Sequence, residues 1–427
     1  MSNSFLKVNL LSESFLFITR ILIQLLFPPL MLFFWGKDNF DLWLFLFAIP
    51  SFLSMFQISI IAPIRNHMLK LFKEKKYSKV NEIYQNSFFF VILNIFFISL
   101  IGLLYVIINF TNPFIQDNLY LIIIAFLCLL LNLLTGCAHA ALSYKGSAKK
   151  ILAIEIFFDL IINLAVPISY FVLSNFEKVF LLVLILQLIK TWILFYKIKD
   201  QNLNKFIKFK FINFKTIKEI INLSLGFNFH ILSNIIKGPG LIVLLGSSNN
   251  LSLVGMISTA RTMFYYLPQR FFRIFEITYF LEFSNILNTK EFNQSFRKHY
   301  LYLLASCIVA LSIFIIFSFY FGEFLYNYWT NNSYNINFEL IFLISLDAFV
   351  IIIGIFLVLP LQSINKYNYI GFFELIVNVT TFIILYSNNF FNDVIYSYKL
   401  IVISSCIILG IKFIYSLTIL KKYVFRN

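Results

Sequence analysis

The residues of this sequence best placed to do chemistry are charged side chains set inside long apolar runs. Arg20, Asp159, Lys190, Lys237, Arg261 and Asp347 lie deep within such runs. Each ionisable group there costs about 2.5–3.5 kcal/mol on insertion scales, and a charge kept at that cost faces a cavity, a partner charge or a ligand. Arg20, Lys237 and Arg261 suit the holding of an anion, and Arg270 is a further candidate nearer the end of its run. Asp159 and Asp347 are acids able to load a proton or sodium. Alternatively they form fixed ion pairs, with Lys190 or Arg261 as partners. Arg273, Glu374 and Lys412, like Arg270, lie close enough to a run's end for their heads to extend toward water. Gly238-Pro239-Gly240 must kink its helix, because proline removes a backbone donor and clashes with the preceding turn. A broken span of this kind can gate a pathway.

The elements that carry these residues follow from composition. The chain has 427 residues, of which 60% are apolar and 12% charged, with 56 Phe and a mean hydropathy of +0.86. Soluble domains carry about 45–50% apolar and about 25% charged residues. A membrane helix needs about 20 apolar residues. The pattern predicts twelve spans, near 14–35, 41–64, 87–109, 119–142, 151–174, 179–198, 219–246, 252–281, 299–322, 338–361, 370–386 and 396–419. The fold class is therefore all-α integral membrane. The three arginines of 252–281 make it the most polar of these segments.

Lysine and arginine fall on alternate sides of these spans, 24 against 2, with the rest inside spans. That imbalance predicts both termini in the cytoplasm of a multi-pass inner-membrane protein. It also accounts for the formal net charge of +15 without nucleic acid. The basic stretch from Lys197 to Lys218 divides the chain into two halves of six spans, 1–208 and 209–427. Each half carries a longer basic loop after its second span, 65–86 and 282–298. A parallel repeat of this kind places a substrate site between two bundles that rock to give alternating access.

Several chemistries are excluded. There is no GxxxxGK[ST] nucleotide loop and no HExxH, and His67, His139, His230 and His299 are scattered. Cys128, Cys137, Cys307 and Cys406 all fall in apolar runs and read as buried free thiols. No cofactor and no metal site is expected. The N-terminus runs directly into the first span, so no cleavable signal is expected.

Two segments carry a resemblance. Arg65-Asn66 opens a basic amphipathic run, RNHMLKLFKEKKYSKVNEIYQNSFFFV, like the loop after the second span in polysaccharide-export flippases. Residues 251–284, LSLVGMISTARTMFYYLPQRFFRIFEITYFLEFS, resemble the family's eighth span in Val254-Gly255, Ser258-Thr259, Arg261-Thr262, Gln269 and Glu282-Phe283-Ser284. Leu281 stands where the family has proline, so this span is expected to end less sharply.

The sequence thus resembles Wzx-type O-antigen or capsule repeat-unit flippases of the multidrug/oligosaccharidyl-lipid/polysaccharide (MOP) exporter superfamily. The resemblance implies two six-helix bundles around a V-shaped cavity. It also implies transport of an undecaprenyl-diphosphate-linked oligosaccharide, with membrane lipids and other polysaccharide-assembly proteins as partners. Arg20, Lys237, Arg261 and Arg270 would meet the diphosphate or sugars. A MATE-like exporter of drugs or cations is the nearest rival, but the deep charges are in basic excess. A membrane-embedded polymerase or ligase is the enzymatic rival, and such enzymes need a large outer loop that this chain lacks.

Overall fold

In the computed structural model the described residues are 3–56, 64, 67–68, 71–72, 74–108, 110, 113–143, 148–173, 175–198, 212–247, 251–286, 292–363, 368–387 and 393–424. They are helical apart from short turns. The long elements are α1 (Asn3–Leu53), α2 (Tyr77–Ile108), α3 (Leu119–Ser143), α4 (Ala148–Leu173), α5 (Phe176–Ile198) and α6 (Phe214–Ile235). They continue with α7 (Leu241–Ser247), α8 (Leu251–Arg261), α9 (Leu267–Ile286), α10 (Phe292–Trp329), α11 (Phe338–Ser363), α12 (Asn368–Ser387) and α13 (Val394–Val424).

Ten helices among the described residues are long and apolar enough to cross a membrane. Two features account for the difference from twelve. α1 is two helices joined across a kink at Gly36, whose φ of +73° suits glycine's freedom in the left-handed region, so the first two expected spans count as one. The segment α8–α9 carries Arg261, Arg270 and Arg273 and falls outside the ten. The helix α9 runs five residues past Leu281, to Ile286, consistent with the missing proline.

The chain forms two compact units. The first comprises Met1–Ile23 and Leu42–Ile231, and the second Gln24–Asp41 and Leu232–Asn427. They differ from the covalent halves 1–208 and 209–427 by an exchange with local causes. The start of α6 belongs with the first unit, because the Asn213 amide donates to Asn86 Oδ1 at 2.6 Å and Ile217 is buried beside Val80 and Ile198. Residues 24–41 of α1 belong with the second unit. Pro29 has no N–H, so the carbonyl of Leu25 loses its helical donor. The Trp329 indole N–H of α10 supplies one at 2.8 Å.

In the first unit α3 packs mainly on α5, and α5 also meets α4. Its core gathers Met68, Tyr84, Cys137, Ala138, Ala141 and Leu194. In the second unit α11 lies against α13, α10 and α9. Phe272, Leu303, Leu311, Phe356 and Leu359 form its main apolar cluster. Cys128, Cys137 and Cys307 are buried, whereas Cys406 is exposed on α13, contrary to expectation. Hydrophobicity puts a cysteine in a span, but only packing decides which side of the helix is covered.

A candidate charge site at two π turns of the second unit

Two breaks in helical hydrogen bonding create the site. Between α6 and α7, Ile236–Gly240 forms a π turn around Pro239. The proline cannot donate, and its ring would clash in a regular α turn, so the helix widens locally. The Leu241 N–H bonds to the Gly238 carbonyl, not to Lys237 as α-helical spacing would require. Between α8 and α9, Thr262–Tyr266 forms a second π turn, closed by the Leu267 N–H on the Thr262 carbonyl.

Arg261, the last residue of α8, spans from the second turn to the first. Its Nη1 donates to the Lys237 carbonyl at 2.9 Å. The guanidinium also lies over the Tyr265 and Tyr266 rings, 4.7 and 5.4 Å from their centroids. Its Nε has no hydrogen-bond partner, although the residue is only 2% exposed. Aromatic faces offer a cation a modest attraction but no counter-charge.

Lys237 is engaged differently. Its ammonium donates to Asp347 Oδ1 of α11 and to Ser405 Oγ of α13, each at 2.5 Å. Ser405 in turn donates to Asp347 Oδ1 at 2.7 Å. Lys237 is 8% and Asp347 1% exposed. The fixed partner of Asp347 is therefore Lys237, not the expected Lys190 or Arg261. The two residues are 110 positions apart in sequence, and only the fold of the second unit brings them together. The carboxylate of Asp347 is engaged by Lys237, and among the described residues Arg261 makes no ion pair of its own. Beside Lys237 is a small, partly open pocket, whose polar lining comes from Lys237, Asn378, Thr381 and Ser404.

The remaining candidates are dispersed. In the first unit Lys190 on α5 donates to Asp159 on α4 at 3.0 Å, with Asp159 the more exposed partner. Arg270 lies partly buried on α9, one turn or more beyond the second π turn. The backbone of Arg20 is in α1, and its side chain lies outside the described residues. Gly238, Pro239 and Gly240 constitute the first π turn itself.

One functional-looking group was misread in the sequence and a second was missed. Lys412 and Glu374 do not reach for water. They form a buried ion pair between α13 and α12. A β-carbon at Gly354 would lie 3.1 Å from Lys412 Cδ, so that glycine makes room for the lysine. Burial overrides the estimate of depth, because a paired charge can be enclosed where a lone one must seek solvent.

The missed group is Asp41, which accepts from the Tyr334 hydroxyl at 2.5 Å. Burial pushes the Tyr334 phenol above its ordinary value, so it stays protonated and donates. A side chain at Gly255 would collide with both Asp41 Oδ1 and the Tyr334 hydroxyl. Nearby, Thr259 and Tyr326 share a hydrogen bond of 2.7 Å. The Val254-Gly255 and Ser258-Thr259 pairs thus have structural work at this contact. The glycine was the available signal, since a glycine inside an apolar helix often marks close approach.

No protein-family model matches the chain, and no curated protein does. Solved structures do. The chain is similar to an inward-facing multidrug resistance MATE family transporter of the MOP superfamily, at 11% identity over 94% of this chain and 93% of the other, with a TM-score of 0.60. It is similar to a MOP superfamily transporter from Pyrococcus furiosus Vc1, described by the reverse polarity of its binding pocket. There identity is 12% over 96% and 94%, with a TM-score of 0.58. A third likeness is to the lipid II flippase MurJ in an inward closed conformation, at 17% identity over 98% and 88%, with a TM-score of 0.56. These neighbours are transporters and flippases, and likeness at such identities concerns the fold. This chain is a multi-pass helical membrane protein with the fold of the MOP superfamily transporters.

Proposed function

We propose that the chain is a flippase that moves undecaprenyl-diphosphate-linked oligosaccharide repeat units across the bacterial inner membrane for surface polysaccharide assembly. The observation that carries this reading is Arg261: a buried guanidinium with no ion pair of its own among the described residues and an unpartnered Nε, at the junction of two π turns. A diphosphate entering a low-dielectric site needs such a cation, and a guanidinium can meet phosphate oxygens in bidentate fashion. Lys237 is committed to Asp347 and Ser405 in this state. Arg261 therefore makes the first contact, and Lys237 joins when its ion pair opens. Arg20 and Arg270 complete the anion-binding set.

In this reading the halves 1–208 and 209–427 alternate access, both termini are cytoplasmic, and the lipid tail stays in the bilayer. No enzymatic step is involved. The likeness to MurJ, a lipid II flippase, supports a lipid-linked substrate, while the likeness to multidrug transporters favours drug or cation export as the rival. A cationic cargo would be opposed by the basic excess of this site.

The test is complementation of a bacterial strain that lacks its repeat-unit flippase. Restored surface polysaccharide, lost again in Arg261→Ala at equal membrane abundance, is the expected result. Failure to complement, together with acquired resistance to cationic drugs, would assign the chain to the rival class.

A further inference from the structure

One end of the first unit carries a basic face that the proposed transport cycle does not use. Lys75, Lys76 and Lys79 stand exposed where α2 begins, Lys215 and Lys218 where α6 begins, and Lys197 where α5 ends. Three of them adjoin a single apolar cluster. Lys79 precedes Val80, Lys197 precedes Ile198, and Lys218 follows Ile217, and these three apolar residues are buried together. The Asn213–Asn86 bond of 2.6 Å and a Thr216–Glu82 contact of 3.4 Å fix the start of α6 against that of α2. The lysines are thus gathered by one packed junction, although 143 positions of sequence separate Lys75 from Lys218.

The turn before α2 shows an unusual choice of residue. The Lys76 N–H bonds to the Leu71 carbonyl, and the Lys75 N–H to that of Phe72. This paired closure ends a helix with one residue in the left-handed region, normally glycine or asparagine. Here the residue is lysine, with φ of +59°. Glycine would relieve the backbone, so the charge is being kept at a conformational cost.

Large aromatic side chains lie beside these charges. Tyr77 is 58% and Phe214 76% exposed. Phe72 meets Tyr77 edge-on at 5.7 Å and limits its orientation. On α5, two and six residues before its end, Tyr196 and Trp192 stack at 5.9 Å on the exposed face. Exposed aromatics at helix ends are the side chains that settle at the headgroup level of a bilayer. Lysines clustered just outside a span attract anionic headgroups.

We propose that this junction of α2, α5 and α6 is a docking surface for anionic phospholipid headgroups, with Tyr77 and Phe214 seated at the acyl boundary. The six lysines outweigh Glu74 and Glu219, the exposed acids beside them, and Glu74 is already held by Lys76 at 2.7 Å. A bilayer fits better than an acidic protein, because charge and exposed aromatics coincide at the ends of membrane-length helices. The inference is independent of what the chain transports. It makes the junction of α2, α5 and α6 a place where lipid composition acts on the protein.

The experiment uses the full-length chain in uncharged detergent, with phosphatidylglycerol or phosphatidylcholine added at equal mole fraction. Bound lipid is counted by native mass spectrometry, and thermal unfolding is followed in parallel. Phosphatidylglycerol should bind more tightly and raise the melting temperature, and about 0.5 M salt should weaken the effect. Replacing Lys75, Lys76, Lys79, Lys215 and Lys218 by Gln should reduce phosphatidylglycerol affinity about fivefold per lysine. Melting in phosphatidylcholine should not change, which controls for folding. A control variant with Lys178→Gln and Lys399→Gln should keep the preference, Lys178 being at the opposite end of α5. Equal binding of the two lipids, or a preference that survives the five substitutions, overturns the proposal. Displacement of the lipid by poly-glutamate at low concentration also overturns it and assigns the surface to an acidic protein.

Discussion

At the level of single residues, Arg261 and Lys237 are both buried cations but are held in different ways. Arg261 rests on one carbonyl and two tyrosine rings, whereas Lys237 has a carboxylate. Their substitutions should therefore differ. Arg261→Ala is expected to abolish export while leaving membrane abundance unchanged, and Arg261→Lys to keep a part of it, since charge survives and bidentate geometry does not. Quantitative export against immunoblotted abundance separates the two outcomes. Loss of one partner of a buried pair costs about 3–5 kcal/mol, because the other charge is stranded. Lys237→Met and Asp347→Asn should each lower the thermal stability sharply, and the double substitution should restore much of it. The same variants test coupling. Transport that responds normally to collapse of the proton and sodium gradients in both Asp347→Asn and Asp159→Asn would make these acids structural.

At the level of elements, α1 and α8 are placed by small local features. Pro29 frees the Leu25 carbonyl, and Trp329 of α10 answers it. Gly255 leaves room for Asp41 and Tyr334. Trp329→Phe keeps an aromatic ring but removes the donor, and loss of a partner for an enclosed carbonyl costs up to about 1–3 kcal/mol. The expected signature is faster amide exchange in 24–41, with α11 and α13 unaffected. Unchanged exchange there would remove the anchoring role. Gly255→Ala should be more disruptive, because its β-carbon meets a carboxylate and a phenol that have no room to retreat. Reduced abundance is expected, relieved in part by Asp41→Ala, which vacates the space.

At the level of the whole molecule, the charge imbalance predicts topology. Reporters fused after Ser147 and Asn213 should read cytoplasm, and those after Asn112 and Asn332 periplasm. A periplasmic signal after Asn213 would be incompatible with two halves of six spans. The transported substrate is decided at this scale too, by whether the chain replaces a missing repeat-unit flippase in cells.

Some of this was decided by sequence alone. Twelve apolar runs force helices, because backbone groups in hydrocarbon have no other partners within one segment. The break at Gly238-Pro239-Gly240 was likewise legible, since proline's missing donor is a local fact. Depth within a span could also be counted, and it singled out Lys237, Arg261, Asp159 and Asp347 as costly. Pairing could not be counted. Which cation meets Asp347, how Lys412 comes to be enclosed with Glu374, and why Gly255 must lack a side chain depend on α1, α8, α11, α12 and α13 meeting across long stretches of chain. One-dimensional periodicity fixes how far along a helix a charge lies, while its direction and neighbours are set by which helices pack together. That is why the charges were visible in the sequence and their partners belonged to the tertiary structure.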